Sequence, residues 1–236
     1  MKKRVFLIIG LIATFALSIW ATAFITINIV NKINRDKVDQ ARRIAFETHY
    51  ADRLVLFEEQ NKHAQDIDVV FLGDSLTEGY DVESYYPQYK VLNRGIGGDT
   101  TTGVLKRLKG SVYDANPKVT AMLIGANNMN VMLNDYEDIL IDFKTKAPNM
   151  KVVLLSLTSM AKQWGRKNNL AKENNVEIQK YATQYGFSYV DLFNPLLDKE
   201  KGECKAEYTI DGGHLTPEGY AVVTSAITPV LEQLLA

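Results

Sequence analysis

The stretch "IDVVFLGDSLTEG", Ile67 to Gly79, decides the fold. Its first seven residues are apolar except for Asp68 and Gly73, which reads as a strand buried on both faces. Gly73 lets the chain turn sharply as it leaves the core, so the residues beyond it face solvent. Ser75 is then one of two things. Either it belongs to a strand-to-helix connection capped by Asp74 or by Ser75 itself, or it is a nucleophile displayed at a strand end. The stretch alone leaves both readings open.

Working outward, further strand-like runs follow: "YKVLN", "VTAMLIG", "KVVLLSL" and "FSYVDLF". Longer amphipathic segments lie between most of them. This βα alternation predicts a parallel sheet covered by helices on both faces, with ligands bound at the carboxyl ends of its strands. Thr216, Pro217 and Glu218 open a last capped helix running to Leu235. There is no internal repeat and no low-complexity linker.

The chain has 236 residues, 46% hydrophobic and 23% charged, enough for one substantial core. A formal net charge of -1 argues against a nucleic-acid partner. Cys204, the single cysteine, has no partner for an intramolecular disulfide and reads as a bystander.

The N-terminus differs in kind. After Lys2, Lys3 and Arg4, the run from Val5 to Asn31 carries no charge and would span roughly 40 Å as a helix. Residues 1–31 are expected to form a membrane anchor, the alternative being a signal sequence cleaved after Ala23 in "ATA". Flanking charges do not favour a cytoplasmic N-terminus, but the signal-like placement of the run and the translocation of long domains regardless of flanking charge set the expectation of a single-pass cell-membrane protein with an extracytoplasmic catalytic domain, or a secreted one if cleavage occurs. Residues 32–65, free of Gly and Pro, read as a juxtamembrane helix on which His49 and His63 are solvated. The globular domain is expected over 66–236.

Three further stretches bear on chemistry. In "NRGIGGDTTTGVLKRL" the glycines precede a helix start, where backbone N–H groups gather. Val104 occupies the position where a P-loop needs Lys, and a plain glycine-rich turn is the alternative. "GANN" puts Asn127 at a strand end, as an oxyanion donor or as a turn former. In "YTIDGGHLTPEGY", Asp211 and His214 are three apart, so on a helical turn the carboxylate reaches Nδ1 and leaves Nε2 free as a base. His214 is the only histidine of the expected globular domain, and any imidazole serving Ser75 must be this one.

A serine after the first strand, glycines after the second, Asn after the third and an Asp-His pair near the end together resemble the SGNH hydrolase (GDSL esterase/lipase) family. The resemblance covers roughly residues 67 to 236. It implies a flavodoxin-like three-layer sandwich with a five-stranded, mainly parallel sheet. It implies Ser75 as nucleophile, His214 as general base and Asp211 as its orienting acid. The oxyanion hole would be the N–H groups of Ser75 and Gly98 and the side chain of Asn127. One block departs: Asn128 stands where the family usually has Asp, which puts the rigidity of the Asn127 loop in doubt. The α/β-hydrolase elbow fails because Thr77 replaces its last glycine, and a dinuclear metal site lacks ligands.

These readings point to a serine esterase that removes a small acyl group, acetyl first, through an acyl-enzyme, with no metal or organic cofactor. O-acylated envelope polysaccharide is the first substrate, lysophospholipid or another lipid ester the second. A non-catalytic glycan-binding surface module is the alternative of another class. The polar loops "YDVESYYPQ" and "TSMAKQWGRKNN" suit a sugar better than an alkyl tail. Met129, Val131, Met132 and Leu133 either line an acyl pocket or start the next helix.

Overall fold

The computed structural model describes the backbone of residues 2–164 and 167–236, and their side chains except those of 2–19, 21 and 162. Two units are distinguished, Met1–Thr48 and His49–Ala236. Helix α1 is continuous over Lys2–His63. It leads to β1 (Val69–Gly73), α2 (Ser75–Glu78), α3 (Val82–Tyr85), β2 (Val91–Gly95) and α4 (Thr101–Ser111). There follow β3 (Val119–Leu123), α5 (Leu133–Lys146), β4 (Lys151–Leu155), α6 (Lys167–Tyr185) and β5 (Ser188–Val190). Last come α7 (Phe193–Leu196), the small antiparallel pair β6 (Leu197–Asp198) and β7 (Glu203–Cys204), and α8 (Pro217–Leu235).

The main sheet has five strands in the order β2-β1-β3-β4-β5, and every pairing is parallel. All five residues of β1 and of β3 are buried, as the apolar runs predict for a sheet covered on both faces. Side chains alternate between two cores. Val70, Leu72, Met122 and Leu154 pack with residues of α4, α5 and α6. Val69, Phe71, Ala121, Val153 and Leu155 pack with residues of α3, α7 and α8. This is the expected three-layer α/β sandwich. Because β1 is followed in the chain by β2 on one side and paired to β3 on the other, the strand order reverses at β1, and the crevice beyond its carboxyl end is the switch point where ligands bind.

One expectation falls largely outside the described residues, and one is revised. Among the described residues no helix is long and apolar enough to cross a membrane. The side chains of residues 5–19 and 21, on which the expected anchor largely rests, lie outside that set. The globular unit also begins at His49 rather than near residue 66. The reason is a stripe on α1 at helical spacing. Phe57 is fully buried, the Arg53 guanidinium donates to the Gly95 carbonyl at 3.0 and 2.9 Å, and Asn61 donates to the Gly110 carbonyl at 2.7 Å. Gln60 and Asn61 both accept from the buried Arg94 guanidinium. Three guanidinium groups, of Arg53, Arg94 and Arg107, stand 4.9, 4.7 and 5.8 Å from the Phe57 ring centroid. Burial, with Arg53 and Arg107 nearby, pushes the Arg94 guanidinium down to about 10.

Candidate active site

Ser75 lies in a capped strand-to-helix connection and still turns its hydroxyl towards an imidazole. Asp74 is the N-cap of α2, its Oδ1 accepting from the Leu76 N–H at 3.0 Å, and Ser75 is the first helical residue. Gly73 is required for a different reason from the one the sequence suggests. Its backbone is not left-handed; a Cβ there would lie 2.2 Å from both the Leu123 carbonyl oxygen and Thr77 Oγ1. Close approach of β3 and α2, and not the turn, excludes a side chain.

The Ser75 hydroxyl stands 3.0 Å from His214 Nε2, and His214 Nδ1 stands 2.7 Å from Asp211 Oδ2. With the proton on Nδ1 donated to Asp211, Nε2 is the acceptor for the serine proton. The pair does not sit on a helical turn as the spacing suggests. It occupies a tight loop closed by the Thr209–Leu215 bridge, in which Gly212 has φ +92°. Asp211 Oδ1 accepts from the N–H groups of His214 at 2.8 Å and Gly213 at 2.9 Å. The His214 N–H, its imidazole and the Gly213 N–H hold the Asp211 carboxyl down at about 2, so it is ionised over the working pH range.

Asn127 donates to the Asp99 carbonyl at 2.8 Å. An amide has two N–H bonds, so this contact fixes the side chain and still leaves a donor. Asn128 holds its loop through both ends of its amide. Its Nδ2 donates to Thr101 Oγ1 at 2.9 Å, a bond that an ionised Asp cannot donate, while its Oδ1 faces the Thr101 N–H at 3.4 Å. The loop aiming Asn127 is thereby pinned to the first turn of α4. Gly98, exposed in the loop between β2 and α4, has φ +79°, a conformation that favours glycine.

Beneath these groups lies a buried web. Arg107 donates to Asp99 Oδ2 at 2.7 Å, to the Gly73 and Arg94 carbonyls at 2.9 Å each and to Ser111 Oγ at 2.9 Å. It therefore ties the ends of β1 and β2 to α4. Burial raises the Asp99 carboxyl and its ion pair with Arg107 opposes that. Burial also pushes the Asp74 carboxyl up to about 7, and its Oδ2 has no hydrogen-bond partner.

A small pocket opens at the dyad, lined by Ser75, Leu76, Ala126, Asn127, Met160, Trp164, Lys167 and His214. Met129 and Met132 are not part of it. Both are buried in the core beside α5; of the four residues only Leu133 starts that helix, Met129, Val131 and Met132 lying in the turns before it. Sequence reasoning missed the supports of this site. Trp164 Nε1 and Gln163 Nε2 both donate to the Asp211 carbonyl, at 3.0 and 2.6 Å. His49 is not merely solvated: its Nε2 lies 3.0 Å from Glu78 Oε2. The i, i+4, i+8 spacing of His49, Arg53 and Phe57 was the available signal, hidden because the stripe is mostly polar.

The GDSL-like Lipase/Acylhydrolase family profile matches residues 71–222, and the chain belongs to that family. It is accordingly a hydrolase acting on esters. It is similar to the human platelet-activating factor acetylhydrolase IB subunit alpha2, 32% identical in an alignment 185 residues long that covers 71% of this chain and 77% of the relative. Among solved structures, a Streptococcus pneumonia protein described as a candidate platelet activating factor superposes with a TM-score of 0.76. It is 25% identical, over 81% of this chain and 97% of that one. An acetyl xylan esterase from Geobacillus stearothermophilus shares the fold with a TM-score of 0.59 at 16% identity, covering 70% of this chain and 94% of its own.

Proposed function

We propose that the protein is a serine esterase that removes a small acyl group, acetyl first, by way of an acyl-enzyme. The observation that carries this reading is the relay from Ser75 through His214 to Asp211, at 3.0 and 2.7 Å. Ser75 Oγ attacks the ester carbonyl as its proton passes to Nε2, and the new imidazolium is stabilised by Asp211. The oxyanion is received by the N–H groups of Ser75 and Gly98 and by Asn127. Collapse breaks the ester C–O bond, and the leaving alkoxide takes the proton from Nε2. Water then repeats the sequence on the acyl-enzyme and frees Ser75.

The short apolar floor of Leu76, Ala126 and Met160 supports a small acyl group. A long chain would need an extended apolar groove, since each buried methylene is worth about 0.8 kcal/mol. Two kinds of similar protein are named for acetyl groups, the platelet-activating factor acetylhydrolases and the acetyl xylan esterases. Exposed Trp164 beside the pocket suits the face of a sugar, and O-acylated envelope polysaccharide is our substrate class. The names of the acetylhydrolase relatives favour a lipid ester as the second reading. We further propose that the N-terminal apolar run tethers an extracytoplasmic domain to the cell membrane, since that run is uncharged from Val5 to Asn31.

The test is a p-nitrophenyl ester series on the whole protein, with fluorophosphonate labelling of Ser75. Acetyl is expected to exceed octanoyl in kcat/KM. A profile rising steadily with chain length would promote the lipid ester, and a folded protein that neither labels nor hydrolyses would overturn the mechanism.

A further inference from the structure

The loop that carries Gly98 is held from outside the catalytic dyad. Gly97 N–H donates to Glu78 Oε2 at 2.5 Å, and the same oxygen is 3.0 Å from His49 Nε2. Arg53 Nε lies 3.6 Å from the other oxygen, Glu78 Oε1, while the guanidinium donates to the Gly95 carbonyl two residues before Gly97. The contact is close throughout. A Cβ on Gly95 would lie 2.1 Å from the Glu78 nitrogen, and one on Gly97 would lie 3.9 Å from both Ser75 Cβ and His49 Nε2.

We propose that Glu78 is a positioning residue for the oxyanion-binding loop, with His49 and Arg53 of α1 keeping its carboxylate on Gly97. The proposal rests on the esterase reading of Ser75 for its catalytic consequence. A charge-assisted bond to a backbone N–H is short and directional. Holding the Gly97 N–H fixes the peptide that enters Gly97, immediately ahead of the 97–98 peptide that carries the Gly98 N–H, and the left-handed φ of +79° at Gly98 then turns the chain on towards Asp99. Preorganised donors act because they need not reorient as the oxyanion forms, so loosening this loop raises the barrier to reaction more than it weakens substrate binding. His49 and Arg53 matter because the Glu78 side chain is 24% exposed and would otherwise be free to turn to water.

The experiment compares wild type with Glu78→Ala, Glu78→Gln and Glu78→Asp, using p-nitrophenyl acetate and active-site titration by fluorophosphonate. Glu78→Ala should lower kcat at least about tenfold with KM within about threefold. Glu78→Gln keeps an acceptor oxygen and should restore kcat to within about threefold of wild type. A folded Glu78→Ala with unchanged kcat, a loss confined to KM, or a Gln variant as impaired as Ala overturns the proposal. Should Glu78→Ala fail to fold, Glu78→Asp decides. Its carboxylate is withdrawn by one methylene, so a matching loss of kcat supports the role and an unchanged kcat removes it. If wild type itself hydrolyses no ester, the esterase reading fails instead. Amide hydrogen exchange at Gly97, expected to speed at least about tenfold in Glu78→Ala, then still tells whether Glu78 holds the loop.

Discussion

The two halves of the dyad are placed by different means. Ser75 stands on a buried framework: β1 and β3 meet α2 at Gly73, and Arg107 binds three backbone or side-chain oxygens beneath it while also pairing with Asp99. His214 and Asp211 stand on a partly exposed loop, held by turn hydrogen bonds within it and by Trp164 and Gln163 on the carbonyl of Asp211. Ser75 is thus positioned by the fold, and His214 by a few local bonds. Damage to the first should cost stability, whereas damage to the second should cost rate.

The largest effect expected is chemical. Ser75→Ala should lower ester hydrolysis by at least about 10³-fold and abolish fluorophosphonate labelling while thermal unfolding stays near wild type, since only an Oγ is removed. Next come two changes to the framework. Arg107→Ala leaves the Asp99 carboxylate buried without its partner and should destabilise the fold by about 3–5 kcal/mol in urea unfolding. Truncation to residue 66 removes Arg53, Phe57, Gln60 and Asn61 together. Losing Phe57 from its buried site would alone cost about 3–5 kcal/mol, so the shortened chain should unfold at markedly lower urea or fail to fold. A shortened chain as stable as the full one would show that the α1 stripe does not support the nucleophile side.

A gentler test uses pH. Burial raises the Asp74 carboxyl from 3.8 to about 7, so its contribution is fully present below about pH 4 and is lost as pH rises through about 7. Asp74→Asn keeps an oxygen for the Leu76 N–H and cannot ionise, so the decline in stability between pH 4 and 7 should flatten in the variant. Equal slopes would mean that Asp74 is ionised in the folded protein throughout. The smallest effect is expected on the base side. Trp164→Phe keeps the ring and loses one hydrogen bond to the Asp211 carbonyl, so kcat should fall only a few-fold, with a change in unfolding free energy of about 1 kcal/mol or less. A large stability loss there would erase the distinction between the two halves.

The same division explains what could be read from the chain. The strand runs are apolar because both sheet faces are covered, so the order of strands and the residues at their ends were legible, Ser75 and Asn127 among them. His214 and Asp211 were legible by elimination and spacing, but the element carrying them was not, since an Asx-type turn brings residues three apart together as well as a helix does. The α1 stripe stayed hidden for a different reason. Hydrophobic periodicity registers apolar faces, and here the docked face is His49, Arg53, Gln60 and Asn61 around a single Phe57. Trp164 and Gln163 act through the backbone carbonyl of Asp211, and no pattern of residue types records that.

The bond between Ser75 and His214 joins residues 139 positions apart, and Tyr220 on α8 donates to the Leu76 carbonyl across 144. On a ribosome the serine therefore leaves the exit tunnel long before its base is synthesised. The nascent chain carries an unarmed hydroxyl, and esterase activity begins only when the segment bearing His214 and α8 closes on α2. Closures of such length are late events in folding, so the onset of fluorophosphonate reactivity after dilution from urea would mark the final step of assembly.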